Sequence, residues 1–466
     1  MAQTARGVAV TEAAPPGGAT LVRGLGLVDG ALLTVGAVLG TGIFLTTADM
    51  ARVMPHAGLL LLAWATGGLL TLAGALTYAE LGAMYPRAGG PYQFLKEAFG
   101  PLPAFLFGWA AFTVIMSGGI AAIAVGFGEY LGAFLPFFST RNVLATLPLG
   151  GWTWRLSGGQ LAACAAIVVL SAINYAGLKA GAGVQNAVTA VKIASILGLA
   201  LVGVFAPAVT AVSLGGALPG GALWSAFGVA MVAVLWTFDG WYSVTYVAGE
   251  MRDPERTVPR ALALGSLAVT VIYLLVNVVY LRALPVAAMA ESSRIGESAA
   301  AALFGAGAAR VVSAAVLVSS FGCLSSTILY AARTYLPMAQ DGLFFKGLAR
   351  VHPRFRTPAA CIAAQCLWSV FLTLSGSYEQ LYTYVVFMVF VFHAAVGAAV
   401  IRLRRTRPGA ARPYRVWGYP AVPLLFIVSS VALVANTLVE KPLESLLGLG
   451  LVALGVPAYL WWRRRA

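Results

Sequence analysis

The sequence reads as an all-α integral membrane protein, and three observations carry that reading. Of its 466 residues 60% are hydrophobic and only 10% charged, with a mean hydropathy of +0.86, more apolar surface than one soluble core could bury. The apolar residues fall into twelve stretches of about 20 residues, the length that crosses roughly 30 Å of hydrocarbon as a helix. Two of these stretches, the first and the sixth, are interrupted by glycine: Gly40-Thr41-Gly42 and Asp239-Gly240.

Taken in order, residues 1–26 are polar, rich in Ala, Gly and Pro, and lack the apolar centre of a signal peptide. They are expected to form a disordered cytoplasmic tail. The transmembrane helices are expected at 27–50, 57–83, 103–135, 159–177, 185–206, 223–249, 260–283, 309–335, 358–376, 379–401, 421–438 and 444–462. Residues 27–466 therefore read as a single transmembrane domain without a soluble unit. Cys164, Cys323, Cys361 and Cys366 all fall within spans, so no disulfide framework is indicated, and the five-residue separation of Cys361 and Cys366 is not metal spacing.

The net charge of +14 follows topology rather than a nucleic-acid footprint. With the N-terminus in the cytoplasm, inside segments hold 22 of the 30 Lys and Arg, seven lie outside (Arg52, Arg141, Arg155, Arg282, Arg294, Arg310 and Lys441), and Lys192 lies within a span. The positive-inside rule thus places both termini in the cytoplasm.

Charges within spans are expensive and functional by default. Lys192, about a third of the way along span five, needs acceptors within reach; a charge that holds a site together or titrates during transport is preferred over a snorkelling lysine. Asp239, at the break of span six, suits either capping of the second half-helix or contact with a cationic group. Glu80, Glu129 and Glu250 lie near span ends, where pairing with Arg suffices. His393, alone in span ten, reads as a packed residue.

The chemistry of the two breaks can be derived from the backbone alone. A lipid-buried helix satisfies its own N–H and C=O groups, so an interruption is tolerated only where it is buried in protein or lines a cavity. Glycines around Thr41 expose N–H groups at the start of the helix running through Ile43-Phe44, and that positive end suits a carboxylate. The first half of span six is expected to end near Trp236-Thr237-Phe238, leaving carbonyls that suit an ammonium group. One site with both ends matches a zwitterion. The competing reading for each glycine is close helix packing. Trp236, in mid-span among Phe238, Trp241 and Tyr242, is the candidate thin gate.

These residues carry a resemblance. Gly36-Ala-Val-Leu-Gly-Thr-Gly-Ile-Phe44, Tyr78-Ala-Glu-Leu-Gly-Ala-Met-Tyr-Pro-Arg-Ala-Gly-Gly-Pro-Tyr92, Leu235-Trp-Thr-Phe-Asp-Gly-Trp241 with Gly249-Glu-Met-Arg-Asp-Pro-Glu255, and Arg412-Pro-Tyr-Arg-Val-Trp-Gly-Tyr-Pro420 resemble the amino acid–polyamine–organocation superfamily, in its L-type amino acid transporter branch. The resemblance implies a leucine-transporter-type 5+5 inverted repeat with discontinuous helices 1 and 6: repeat one at 27–206, repeat two at 223–401, and appended helices at 421–462. It implies a substrate site of Gly40, Thr41, Gly42, Trp236, Thr237, Phe238, Asp239 and Gly240, with Trp236 as gate. Lys192 matches a lysine where sodium-coupled relatives bind a cation, bridging spans one and eight, with Cys323 and Thr327 as its expected neighbours. Members of the branch often bind a single-span glycoprotein through an external cysteine between spans three and four. The loop at 136–158 has no Cys, so no disulfide-linked accessory subunit is expected.

The function these readings give is sodium-independent secondary transport of amino acids, neutral L-amino acids first and cationic ones as an open addition through Asp239, by exchange, facilitated or proton-coupled uptake. The alternative is a cationic amino acid or polyamine permease. A channel would need a continuous polar pore, an enzyme a converging nucleophile and base or a metal cluster, and a sensor an added signalling domain; the sequence offers none of these. No cofactor, metal or nucleic acid is expected. Richness in Ala, Gly and Arg points to a prokaryotic inner membrane.

Overall fold

The computed structural model describes residues 24–149, 152–176, 181–210, 214–218 and 223–464. Most of the expected tail, Lys179 and the chain end after Arg464 therefore lie outside the described residues. Among the described residues ten helices are long and apolar enough to cross a membrane. The other two expected spans correspond to α8 (Gly181–Phe205), with a described apolar stretch at Ala190–Phe205, and to the 17-residue α14 (Ala359–Ser375).

Span one is discontinuous. Helix α1 (Leu27–Val38) stops before the glycines, a 3-10 turn runs Gly42–Phe44, and α2 (Thr46–Val53) resumes beyond it. After α3 (Ala57–Met84) and the short α4 (Pro91–Phe99), span three combines α5 (Pro101–Ala110), a π-turn over Ala111–Ile115 and α6 (Met116–Leu131). A π-turn releases a carbonyl from the helical ladder, and the Thr113 carbonyl there accepts the Trp368 indole N–H at 2.8 Å.

The all-α expectation needs one correction. The loop at 136–158 folds into an antiparallel hairpin, β1 (Val143–Leu149) and β2 (Trp152–Ser157), with a bulge near Val143 and Ala145. Gly150-Gly151 between two strand-forming runs is the two-residue turn signal that marks it. The Trp154 indole donates to the Leu374 carbonyl at 2.6 Å, tying the hairpin to α14.

Then follow α7 (Gly158–Ala176), α8 and span six. In span six α9 (Leu223–Phe238) ends at the Asp-Gly pair, and the chain continues as a 3-10 helix over Ser243–Glu250. Gly240 holds φ +96°, a conformation L side chains rarely adopt. The second half is thus 3-10 rather than α, and its N-terminal cap, Tyr242, makes no side-chain capping bond. Asp239 is not the cap that its sequence position allowed. The remainder comprises α10 (Pro254–Ala283), the short α11 (Val286–Glu291) and α12 (Ile295–Phe304), α13 (Ala306–Gln340), α14, α15 (Tyr378–Thr406), α16 (Ala421–Glu440) and a last span divided into α17 (Pro442–Ala453) and α18 (Gly455–Arg463).

Two packing groups result. Helices α1, α3, α9 and α10 pack together, and α6, α7, α13 and α14 form a second group. Small residues set the close approaches: a Cβ on Gly68 of α3 would collide with the Thr270 side chain of α10. Between the groups lie the two helix breaks.

Charged span ends are paired at both faces. Glu80, 1% exposed, accepts two bonds from Arg404 at 2.9 and 2.6 Å and one from the Val416 N–H at 2.8 Å, with Arg412 at 3.5 Å. Glu250 pairs with Arg333 at 2.9 Å. Glu129 lies near Arg294 at 4.0 Å and also accepts from Thr140. His393 is buried against Tyr78, whose hydroxyl lies 2.6 Å from Nδ1.

Candidate functional site

The break in span one exposes both ends of the peptide dipole, and the structure treats them differently. Three carbonyls freed at the end of α1 are taken by side chains of other spans. The Lys192 ammonium donates to Gly36 O at 2.5 Å, the Cys323 thiol to Ala37 O at 3.4 Å, and the Tyr273 hydroxyl to Val38 O at 2.9 Å. The N–H groups of Gly40, Thr41, Gly42 and Ile43, by contrast, have no backbone acceptor among the described residues; regular bonding resumes with Phe44 N–H to Thr41 O at 3.1 Å and Leu45 N–H to Gly42 O at 2.9 Å. The donors are left free and the acceptors are filled.

At the end of α9 the acceptors are partly filled. Trp236 O takes the Asp239 N–H at 3.0 Å, and Thr237 O takes the Tyr273 hydroxyl at 3.0 Å. Each keeps a second lone pair, and Phe238 O has no donor among the described residues. Tyr273 thus joins the two breaks directly, bonding a carbonyl of each.

Both breaks line one narrow cavity of ≈ 30 Å³, together with Cys323, Thr327 and Tyr330 of α13 and Met116 and Gly119 of α6. That volume holds a water or two rather than an amino acid. Of the expected site residues, Gly40, Thr41, Gly42, Trp236, Thr237, Asp239, Cys323 and Thr327 reach this cavity. Phe238, Gly240 and Lys192 stand behind it. Phe238 packs on Trp64 and Tyr273, Gly240 lies against the Ala37 backbone, and Lys192, 1% exposed, serves Gly36.

The glycines also pack closely. A Cβ on Gly42 would lie 2.7 Å from Thr237 Oγ1 and 3.0 Å from Thr237 Cα, and one on Gly40 would lie 3.2 Å from Cys323 Sγ. Packing and backbone exposure are therefore joint properties of these positions. Thr237 Oγ1 further bonds Thr46 Oγ1 at 2.8 Å, crossing from span six to the second half of span one. Asp239 accepts from Tyr242 at 3.1 Å. Thr327 donates to Cys323 O within its own helix at 2.9 Å, so the link from span eight to the break of span one is made by Cys323.

On one side of the cavity the Trp236 indole donates to the Tyr378 hydroxyl at 3.0 Å, and its ring stacks on Tyr382 at 6.0 Å and 19°. Beyond this layer opens a vestibule of ≈ 580 Å³ lined by Asp49, Arg52, Glu129, Arg155, Tyr378 and Glu379 among others. On the other side Tyr246 stacks on Tyr330 at 5.8 Å and 11°, in front of the Arg333–Glu250 pair. Sequence reading missed Tyr273, Tyr378, Tyr382 and Asp49. Tyrosines near span ends read as interfacial anchors, and only their spacing of four on α15, which puts Tyr378 and Tyr382 on one face, signals more.

The family described as "Amino acid permease" matches residues 25–447 of the chain. The chain is 30% identical over 458 residues to the serine/threonine exchanger SteT of Bacillus subtilis, covering 96% of this chain and 98% of that protein. It is 31% identical to the b(0,+)-type amino acid transporter 1 of Homo sapiens, over 91% of this chain and 84% of that protein. It is 27% identical to the large neutral amino acids transporter small subunit 2 of Mus musculus, over 96% and 83% respectively. A match over nearly the whole transmembrane region, to relatives of similar length, is decisive for kinship: the chain belongs to the amino acid permease family.

Proposed function

We propose that this protein moves amino acids across the cell membrane by alternating access, independently of sodium, with neutral L-amino acids as preferred substrates and cationic ones accommodated at Asp239. One observation carries the reading: the N–H groups of Gly40, Thr41, Gly42 and Ile43, which have no backbone acceptor among the described residues, belong to a break that lines the same cavity as Trp236, Thr237 and Asp239. A carboxylate meets the first set and an ammonium the second, across the gap that an α-carbon spans.

The architecture we assign is the 5+5 inverted repeat, 27–206 against 223–401, with helices 421–462 appended. Counterpart packing supports it. Span two packs on seven (α3 on α10), three on eight (α6 on α13), four on nine (α7 on α14), and the second half of one on six (α2 on α9), the pairing a two-fold axis in the membrane plane produces. We place the vestibule outside and both termini inside, on the distribution of Lys and Arg. Sodium independence rests on Lys192, whose ammonium occupies the carbonyl end of α1 and supplies the positive charge an ion would bring. The similarity to SteT, a serine/threonine exchanger, favours exchange over facilitated or proton-coupled uptake. The hairpin at 143–157 fills the loop between spans three and four without a cysteine, which supports transport without a disulfide-linked subunit. A prokaryotic inner membrane is the setting we assign.

A cationic amino acid or polyamine permease is the second reading, favoured by the Asp239 carboxylate on the cavity wall. Counterflow in proteoliposomes decides between them. Vesicles preloaded with unlabelled neutral amino acid are expected to accumulate its labelled form transiently, equally with sodium or choline outside. Accumulation of dibasic amino acids or polyamines alone gives the second reading, and none with any amino acid or polyamine contradicts both.

A further inference from the structure

We propose that Asp49 is a positioning residue of the outer gate, holding Trp236 closed through Tyr382. The proposal rests on the reading of Trp236 as gate and adds what sets its resting position. Asp49 stands on α2, on the vestibule wall directly outside the gate. Its Oδ2 accepts from the Tyr382 hydroxyl at 3.3 Å, and the Tyr382 ring lies stacked on Trp236. Its Oδ1 accepts from Arg52 Nη1 at 2.5 Å. Arg52 is itself fixed, donating to Ala290 O at 2.7 Å and Ser292 O at 3.1 Å at the end of α11.

A continuous line of hydrogen-bonded groups thus runs from the carbonyls at the end of α11 through Arg52 and Asp49 to Tyr382, and ring stacking carries it on to Trp236. Four separate elements meet in it: α11, α2, α15 and α9. Neither Asp49 nor Arg52 reaches the substrate cavity, so the line acts on access and not on contact with the substrate. A carboxylate suits the position because it accepts from two donors at once, one on each side. With Arg52 anchored, the carboxylate fixes the Tyr382 hydroxyl, and the ring it carries fixes the face on which Trp236 rests.

Cys323, on the cavity wall and 2% exposed, is a built-in reporter of access past the gate. In a background with Cys164, Cys361 and Cys366 replaced by Ala, the labelling rate of Cys323 by a water-soluble methanethiosulfonate reagent is measured on purified protein without substrate. Asp49→Ala and Tyr382→Phe are each expected to speed labelling about fivefold, the equivalent of one lost hydrogen bond. The double variant is expected to label no faster than either single one, because both remove the same link. Asp49→Asn, whose single acceptor oxygen can keep only one of the two donors, is expected to label at a rate between the parent and Asp49→Ala. Unchanged rates in both single variants, or effects that multiply in the double one, overturn the proposal. Trp236→Ala separates the two levels: if it does not speed labelling, the gate reading fails; if it does while Asp49→Ala does not, only the positioning role fails.

Discussion

The Lys192 ammonium donates to the Gly36 carbonyl at 2.5 Å, so a lysine buried within a span caps the end of the first half of span one. A helix cut in mid-membrane leaves carbonyls that neither water nor lipid can serve. Lys192, Cys323 and Tyr273 serve three of them from three other helices. That division leaves the donor side of the break as the open one.

Removing this cap should therefore affect the site before the fold. Lys192→Met keeps the apolar stem and deletes the donor, leaving Gly36 O without its charged partner. Transport is expected to fall at least tenfold with expression retained, a hydrogen bond to a charged group being worth about 1.5–3 kcal/mol. Uptake and membrane yield, measured on the same cells, check this; equal losses in both would make the lysine purely structural.

The two glycines of span one are expected to differ. Gly42→Ala drives a methyl group to within 3.0 Å of the Thr237 backbone, whereas Gly40→Ala meets only the Cys323 sulfur at 3.2 Å. Backbone yields less readily than a side-chain tip, so Gly42→Ala should cost about 1–3 kcal/mol and lower the melting temperature of detergent-solubilised protein. Gly40→Ala should melt close to wild type, and the reverse order would contradict the packing described.

Asp239 separates substrate classes. Its carboxylate lines the cavity beside Trp236 and Thr237, so Asp239→Asn removes a charge partner for a cationic side chain while sparing the backbone groups. Uptake of labelled arginine is expected to fall at least tenfold more than uptake of a neutral amino acid, again the scale of one charged hydrogen bond. A parallel loss of both would reduce Asp239 to its bond with Tyr242.

Two ion pairs near the same face should differ in stability. Glu80 and Arg412 are 1% and 5% exposed, while Glu97 and Arg407 are 28% and 47% exposed. Glu80→Gln strands buried guanidinium charge and is expected to cost about 3 kcal/mol. Glu97→Gln should cost under about 1 kcal/mol. Thermal melts of the two variants test the contrast, and comparable shifts would refute it.

What the sequence discloses and what it hides follow from the range of the interaction. Gly40-Thr41-Gly42 and Asp239-Gly240 are local signals, because a helix break is written in the residues that break it, and a lysine amid Val, Ala and Ile stands out by its charge alone. The partners are non-local. Nothing in span one says that Tyr273 and Cys323 will fill its carbonyls, and nothing in span two announces that Arg404 and Arg412 will close on Glu80. Phe238 and Gly240 sit in the right stretch yet stand behind the cavity, because Phe238 packs on Trp64 and Tyr273 and Gly240 lies against the Ala37 backbone. Tyr378 and Tyr382 lie at the start of a span, where tyrosine has a commoner purpose at the interface. The strands at 143–149 and 152–157 are hard to read because their apolar residues fit a membrane loop as well as a strand, and the Gly150-Gly151 pair between them is the one local hairpin signal in that stretch of sequence.

The zwitterion match of the two breaks is tested by competition on the purified protein. Displacement of a labelled neutral amino acid is measured with its unlabelled form, with the amine that lacks the carboxylate, and with the acid that lacks the amino group. Both truncated compounds are expected to bind at least tenfold more weakly than the intact amino acid, since each leaves one set of backbone groups unmet. Full displacement by either one at the concentration of the parent would show that its missing group meets nothing at Gly40-Thr41-Gly42 or at the end of α9, and would contradict the site described.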